Sequence, residues 1–562
     1  MACAGHRCQP QRRSLAYDLP VMAVAGTYRR GAPLGGEAAA AGGSNVASSA
    51  SDVRRAVPEV VRRRLSPFDA GGDLWSWLAT ALIVAIAAVP RLLNLSSPKG
   101  KIFDELYYAT EAHHLLLRGF EWDEKNNVAA NVVHPPLGKW MIGLGELVFG
   151  YNETGWRVSA AVVGTLSVLI LVRVARRMFR STVLGCAAGL LMALDGMHLV
   201  LSRVALLDIF LMFFILAAFG TLLLDRDARR RRWLTALEAG LDPAVPGPAG
   251  RLPFAVPWWR LATFVLLGCA CAVKWSGIWY VLAFAALMLY WEMQARRSAG
   301  VRRPWRDALV REIGWLAIGG TLLLVVYLAS WSGWLSTDGG HFRHWLRDAG
   351  HDELPIVGAL QNLWHYHVEA LRFHTTLEKA HRYQSWPWQW LLLGRPVAFD
   401  WWCGGEPCAG SAPTREVLLL GTPLLWWSFI PALGALTWFG IARRDWRVGP
   451  IWLGILAGLL PWFYFAVADH RTMFYFYALP AEPFLVLAVV YVLGMVMTPP
   501  RPSAATGNAP SGPDRRPIGV IVAAAYVLLV AACFAYFYPI YVGKVLPYTD
   551  WAARMWLGNR WI

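Results

Sequence analysis

The sequence predicts an all-α polytopic membrane protein. Three observations carry that reading. Of the 562 residues, 56% are apolar and only 16% are charged. The mean hydropathy is +0.38. The apolar residues fall in long unbroken runs separated by arginine clusters. A soluble core has no use for so much apolar surface, and the same composition excludes disorder for most of the chain. Transmembrane β-barrels show short alternating segments instead of such runs.

Residues 1–70 are rich in Ala, Gly, Ser and Arg and read as a disordered cytoplasmic tail without the leading apolar segment of a signal peptide. The main membrane domain is expected over 71–497. Its first span is Leu74–Leu93. Arg54, Arg55, Arg62, Arg63 and Arg64 precede it and put the N-terminus inside. The second, Trp156–Met178, ends in Arg173, Arg176, Arg177 and Arg180, again inside. Residues 94–153 are then an external loop. Its apolar stretch Leu137–Phe149 is interrupted by Gly and Glu and reads as an interfacial helix.

The following spans alternate. They are Thr182–Leu199, Val204–Leu224, Leu261–Val273, Ile278–Trp291 and Ile313–Ser332, then a long external loop at 333–414. Val417–Phe439, Ile451–Val467 and Phe474–Val496 come next, followed by a cytoplasmic linker at 498–517 rich in Pro, Gly and Ser. Residues 518–562 supply a last span, Ile518–Phe537, and an external tail. The sum is eleven spans, N-terminus inside and C-terminus outside, with every basic cluster between spans on one side.

Lys and Arg number 53 against 37 Asp and Glu, a net charge of +16. In a soluble chain that excess would suggest nucleic acid. Here the clusters sit where the positive-inside rule wants them, so the bilayer is the partner and no nucleic acid is expected. Of eight cysteines, only Cys403 and Cys408 form a local pair. Their external position suits a small disulfide loop, whereas a metal site there would need two further soft ligands.

Chemistry is concentrated in the external segments. Asp104-Glu105 opens a stretch in which Asp104, Tyr107, Tyr108 and Glu111 share one helical face. A partly desolvated carboxylate there suits a general base; a solvated, capping acid is the plain alternative. His134-Pro-Pro-Leu-Gly-Lys139 reads as a rigid entry to a helix. Asp195-Gly-Met-His198 through Arg203 and Asp208 forms the next external tip; Arg203 fits a phosphate as a bidentate donor and fits a structural ion pair equally well. Lys274 and Arg471 lie at two further tips. Three cations from three tips would suit an anionic headgroup. His365, His367 and His374 include an HxH spacing that metals accept, but aromatic residues dominate that loop, and no cofactor is firmly implied beyond a possible divalent metal. No P-loop or Gly-rich dinucleotide fingerprint occurs.

Taken together, four passages resemble the protein O-mannosyltransferases in their compact actinobacterial form. They are Phe103-Asp104-Glu105 with His134-Pro-Pro-Leu-Gly-Lys139; Leu194 through Arg203 to Asp208; Ala272-Val-Lys274-Trp-Ser-Gly277; and His381-Arg-Tyr383-Gln-Ser385-Trp-Pro-Trp388 with Arg471 through Pro480. The resemblance implies a GT-C glycosyltransferase in the plasma membrane with an outward-facing active site. It implies polyprenyl phosphate mannose as donor and Ser or Thr hydroxyls of exported proteins as acceptors, with coupling to the export machinery as one route to them. It maps the family's acidic pair onto Asp104, as base, and Glu105, as a residue orienting the acceptor or shaping the site. It maps the family's loop arginine onto Arg203, on the donor side. Lys274 and Arg471 are expected phosphate ligands from their charge and side. His134, Asp208, His381, Tyr383 and Ser385 are further candidates from the matched passages. The outer loop at 333–414 is too short for the soluble domain that eukaryotic members carry there. A GT-C enzyme acting on a lipid or polysaccharide is the nearest alternative. A transporter is a more distant one, because the ionisable residues sit at span ends and in loops.

Overall fold

The computed structural model describes residues 57–68, 73–131, 133–498 and 516–561. Most of the expected 1–70 tail and nearly all of the 498–517 linker lie outside them. Within the described part of that tail, one expectation is corrected: Glu59–Leu65 is a helix. Its Leu65 is buried in a small apolar cluster with Trp233, Ala295 and Ala299, which Val61, one turn earlier, flanks.

Among the described residues, nine helices are long and apolar enough to cross a membrane, and two shorter apolar helices, Thr182–Ala193 and Trp258–Val273, fall where the sequence puts its third and fifth spans. The differences lie at one set of helix ends. The expected span Thr182–Leu199 breaks at Leu194-Asp195, and a short helix, Gly196–Leu201, follows. The buried Asp195 carboxylate causes the break. It accepts the His198 N–H at 3.1 Å, the Thr422 N–H at 2.9 Å and the Trp426 indole N–H at 2.8 Å, capping one helix and tying it to the next. The expected span from Val204 begins at Asp208 and runs to Glu238. The run from Val417 opens as a strand, and its helix starts at Pro423, where proline suits a first turn.

The fold is therefore mostly, not entirely, helical. Val397–Cys403 and Pro413–Leu419 pair antiparallel, and Leu546–Pro547 adds to the second strand. Cys403 and Cys408 are disulfide-bonded at the end of this hairpin. The C-terminal tail locks onto it: the Trp551 indole donates to Glu416 at 2.6 Å, and that of Trp561 to the Leu393 carbonyl at 2.7 Å.

The 94–153 loop holds two helices, Glu105–Arg118 and Leu137–Phe149. Lys139, fully buried, joins them by ion pairs to Glu111 at 3.2 Å and Glu121 at 2.7 Å. Gly138 lets the second helix approach closely, since a Cβ there would stand 2.7 Å from Leu207. That helix exposes Leu144, Leu147, Val148 and Phe149, the apolar face an interfacial helix requires.

Candidate active site

Asp104 caps the N-terminus of Glu105–Arg118, and the turn before it is unusual. Phe103 has a φ of 47°, a region costly for an aromatic residue. Its ring is held by stacking on Phe399 at 4.5 Å and edge contacts with Phe474 and Phe476. The following residue fixes the turn from beneath. Glu105 is fully buried and takes two hydrogen bonds from Arg157, at 2.8 and 2.7 Å. It also accepts the Ile102 and Ala205 N–H groups at 3.0 and 3.1 Å. Arg157 spends its other donors on the carbonyls of Leu95, Pro98 and Gly100. Asp104 itself makes no side-chain cap. Burial pushes its carboxyl up to about 6, against the pull of nearby Lys274 and with the push of Asp208 and Glu111.

A cavity of about 210 Å³ lies beside this turn, lined at its polar end by His134, Asp208, Lys274, His374 and Arg471. Asp208 starts its long helix and Lys274 ends Trp258–Val273, and the two pair at 2.7 Å. Arg471 lies 3.2 Å from His374 Nδ1, while His374 Nε2 lies 2.9 Å from the Val133 carbonyl. Nε2 therefore donates to the carbonyl and Nδ1 accepts from the guanidinium. Burial and Arg471 bring His374 down to about 4, and burial with Lys274 holds His134 well below its ordinary value. Both imidazoles are neutral at pH 7. The buried Nε of Arg471 has no partner among the described residues. The other walls are apolar, with Trp275, Trp279, Trp462, Phe465 and Leu211. A charged end on an apolar slot fits a phosphorylated amphiphile.

Family models match two stretches of the chain: "Dolichyl-phosphate-mannose-protein mannosyltransferase" over residues 81–244 and "C-terminal four TMM region of protein-O-mannosyltransferase" over 359–561. The chain is 41% identical over 493 residues to the polyprenol-phosphate-mannose–protein mannosyltransferase of Mycolicibacterium smegmatis, covering 86% of this chain and 92% of that one. It is 40% identical over 504 residues to the Mycobacterium tuberculosis protein of that name, with the same coverage. The chain belongs to the protein O-mannosyltransferase family. It is a membrane glycosyltransferase. Its fold is that of the S. cerevisiae protein O-mannosyltransferase Pmt1-Pmt2 complex bound to the sugar donor, with a TM-score of 0.62 at 15% identity over 86% of this chain and 92% of that chain.

Within this mannosyltransferase, several expected site residues come together and others do not. His134, Asp208, Lys274 and Arg471 line one cavity, and the charges of Lys274 and Asp208 act on Asp104. Of the two roles expected for Glu105, the geometry fits shaping the site: its acceptor capacity is spent on Arg157 and backbone N–H groups, so it holds the Asp104 turn. Arg203 is corrected. Its guanidinium donates to the carbonyls of Pro90, Leu93 and Asn94 at 2.7, 2.8 and 2.9 Å, closing the frayed end of the first span instead of facing the cavity. Ser385 is buried, accepts the Trp390 indole N–H at 3.0 Å and donates its own N–H to the Met473 carbonyl. His381 packs on Phe474, and Tyr383 lies between Arg382 and Arg395; none of these three lines the cavity. On the expected Asp104 face, Tyr107 is exposed instead.

The HxH pair does not gather around an ion. His367 is occupied by Tyr327 at 2.6 Å and by the Leu363 carbonyl, and His365 stacks on Trp345. Among the described residues, no group of three or more His, Cys, Asp or Glu side chains is placed to hold a metal. Two contributors escaped the sequence reading of the site. His374 belongs to it through Arg471, not through HxH. Arg157 carried a signal: it is a cation at the end of a span opposite its arginine cluster, Arg173 to Arg180.

Proposed function

We propose that this enzyme transfers mannose from polyprenyl phosphate mannose to Ser or Thr hydroxyls of exported proteins at the outer face of the plasma membrane. The acceptor Oγ attacks the anomeric carbon, its proton passes to Asp104, and the bond from that carbon to the phosphate oxygen breaks. The electron pair leaves with polyprenyl phosphate. One displacement inverts the anomeric centre, so a single carboxylate serves, unlike the carboxylate pair of glycosidases. The leaving group is already a stable anion and needs cations more than an acid. Lys274 and Arg471 supply them, and the tryptophan-lined slot receives the first isoprene units.

The observation that supports this reading is an Asp104 carboxylate, without a hydrogen-bond partner among the described residues, within electrostatic reach of Lys274, which with Arg471 lines an apolar cavity. The donor named for the mycobacterial relatives, a polyprenol phosphate mannose, matches that chemistry. An N-terminus inside, as the arginines before the first span favour, would put Asp104 on the outer side, where acceptors arrive during or after export. The deciding experiment incubates membranes holding wild type or Asp104→Asn with radiolabelled polyprenyl phosphate mannose and a Ser/Thr-rich peptide. Label on the peptide with wild type alone supports the proposal. Label on lipid or glycan instead overturns the protein acceptor, and full activity of Asp104→Asn overturns the base. Repeating the wild-type reaction with a chelator reads any divalent-metal requirement.

A further inference from the structure

A second cavity, of about 790 Å³, lies at the opposite ends of the helices that frame the active site. Asp208 begins its helix beside Lys274, and Arg229 of that helix lines this second groove. The two are separated by roughly 30 Å of helix, the thickness of a bilayer's hydrocarbon core. The floor of the groove is a neutralised lattice. Buried Arg260 and Arg296 and half-buried Arg229 are paired with Asp225, Glu292 and Glu312.

The rim is different. Arg251, Arg302, Arg303 and Arg306 are exposed, and their side chains make no hydrogen bond or ion pair among the described residues. Arg251 comes from the 243–255 loop on one wall, and the other three flank the start of Pro304–Ser330. Apolar groups share the groove. Phe254 is 85% and Val310 66% exposed, and Phe254 stacks on Trp315. The apolar window of Pro304–Ser330 is only 11% buried by the rest of the protein, so lipid surrounds it. Arginines beside a span also direct insertion. That role asks for neither a groove, nor a facing arginine from another segment, nor an exposed Phe254 stacked on Trp315 beside them.

We infer that this groove seats the headgroup of an anionic phospholipid from the leaflet it borders. Guanidinium forks on both walls take the phosphodiester oxygens, and the acyl chains continue down the lipid-facing side past Val310. The full-length protein, reconstituted in phosphatidylcholine nanodiscs doped with phosphatidylglycerol and then extracted, should co-purify phosphatidylglycerol enriched over its bulk fraction. Arg251→Gln with Arg302→Gln, Arg303→Gln and Arg306→Gln should lower that enrichment at least about fivefold. Undiminished enrichment in this variant overturns the inference. Displacement of phosphatidylglycerol by millimolar inorganic phosphate overturns the lipid as source and assigns the groove to a soluble phosphate compound. Because the three flanking charges also steer insertion, Arg251→Gln alone is measured beside the quadruple variant. It keeps them, and it should lose enrichment about two- to fivefold with an unchanged melting temperature. Unaltered enrichment there overturns the inference as well.

Discussion

Arg157 clasps Glu105 through two hydrogen bonds of 2.8 and 2.7 Å in a place where neither side chain is exposed. The pair joins the helix Glu153–Phe179 to the residue directly after Asp104. A fully buried ion pair thus fixes the turn that carries Asp104.

Breaking this clasp leaves a charge buried and unpaired. Glu105→Gln should therefore destabilise the protein by about 3–5 kcal/mol, measured as a fall in thermal stability in detergent. Glu105→Gln with Arg157→Met should recover part of the loss, because neither charge is then stranded. A single variant as stable as wild type would remove the clasp from the account.

Asp104→Asn should lower transfer by about 10²–10⁴-fold while the protein stays folded. The carboxyl is raised to about 6 in the fold, above its ordinary value of 3.8. The neutral form is thus the one the fold favours, and ionisation costs stability as pH rises through the window from 3.8 to about 6. At pH 7, Asp104→Asn should therefore be more stable than wild type, by about 1–3 kcal/mol at most. The wild-type rate should rise with pH through about 6, as a base that must be ionised requires. A flat profile from pH 5 to 7 would argue against Asp104 as the titrating group.

Arg471 and Arg203 should separate cleanly. Arg471→Met should raise the KM for the lipid donor at least tenfold with little change in melting temperature. Arg203→Met should do the reverse, since its guanidinium serves the carbonyls of Pro90, Leu93 and Asn94. A donor defect confined to Arg203→Met would reverse this assignment.

His374 should confer a pH dependence on stability. Its native value, about 4, lies below the ordinary 6.5, so the unfolded chain takes up its proton first. Stability from this group is complete above pH 6.5 and is lost as pH falls toward 4. His374→Gln should flatten that part of the melting-temperature profile and raise the donor KM through a less firmly held Arg471. Superimposable profiles for the two proteins would show that His374 is not held neutral by the fold.

Cys403→Ser opens the disulfide at the end of the 397–419 hairpin, away from the residues lining the cavity. Transfer rates should stay within about twofold of wild type, as for a change remote from the reacting groups, while protease nicking of the 404–412 segment should increase. A large loss of rate at unchanged stability would connect the hairpin to the chemistry.

The spans were legible in the sequence because burial in lipid demands long apolar runs, and insertion demands arginines at their inner ends. Leu74–Leu92 and Val448–Val467 follow the composition almost residue for residue. Asp104, Lys274 and Arg471 could be singled out in the sequence because charged groups at a membrane boundary are expensive to keep. Their convergence could not be read from it. It depends on where Lys274 ends one helix, where Asp208 begins another and how His374 turns Arg471, all of which join positions tens to hundreds of residues apart. The opposite fates of two similar cations make the same point. Arg203 and Arg471 both sit at tips between spans and read alike as charges. Only the fold gives Arg203 the open carbonyls at the end of the first span, and turns Arg471 to His374 at the cavity with its Nε left unpartnered among the described residues. Sequence determined which side chains must find a partner; tertiary structure decided which partner, because hydrogen bonds act over about 3 Å and spacing along the chain does not specify that distance.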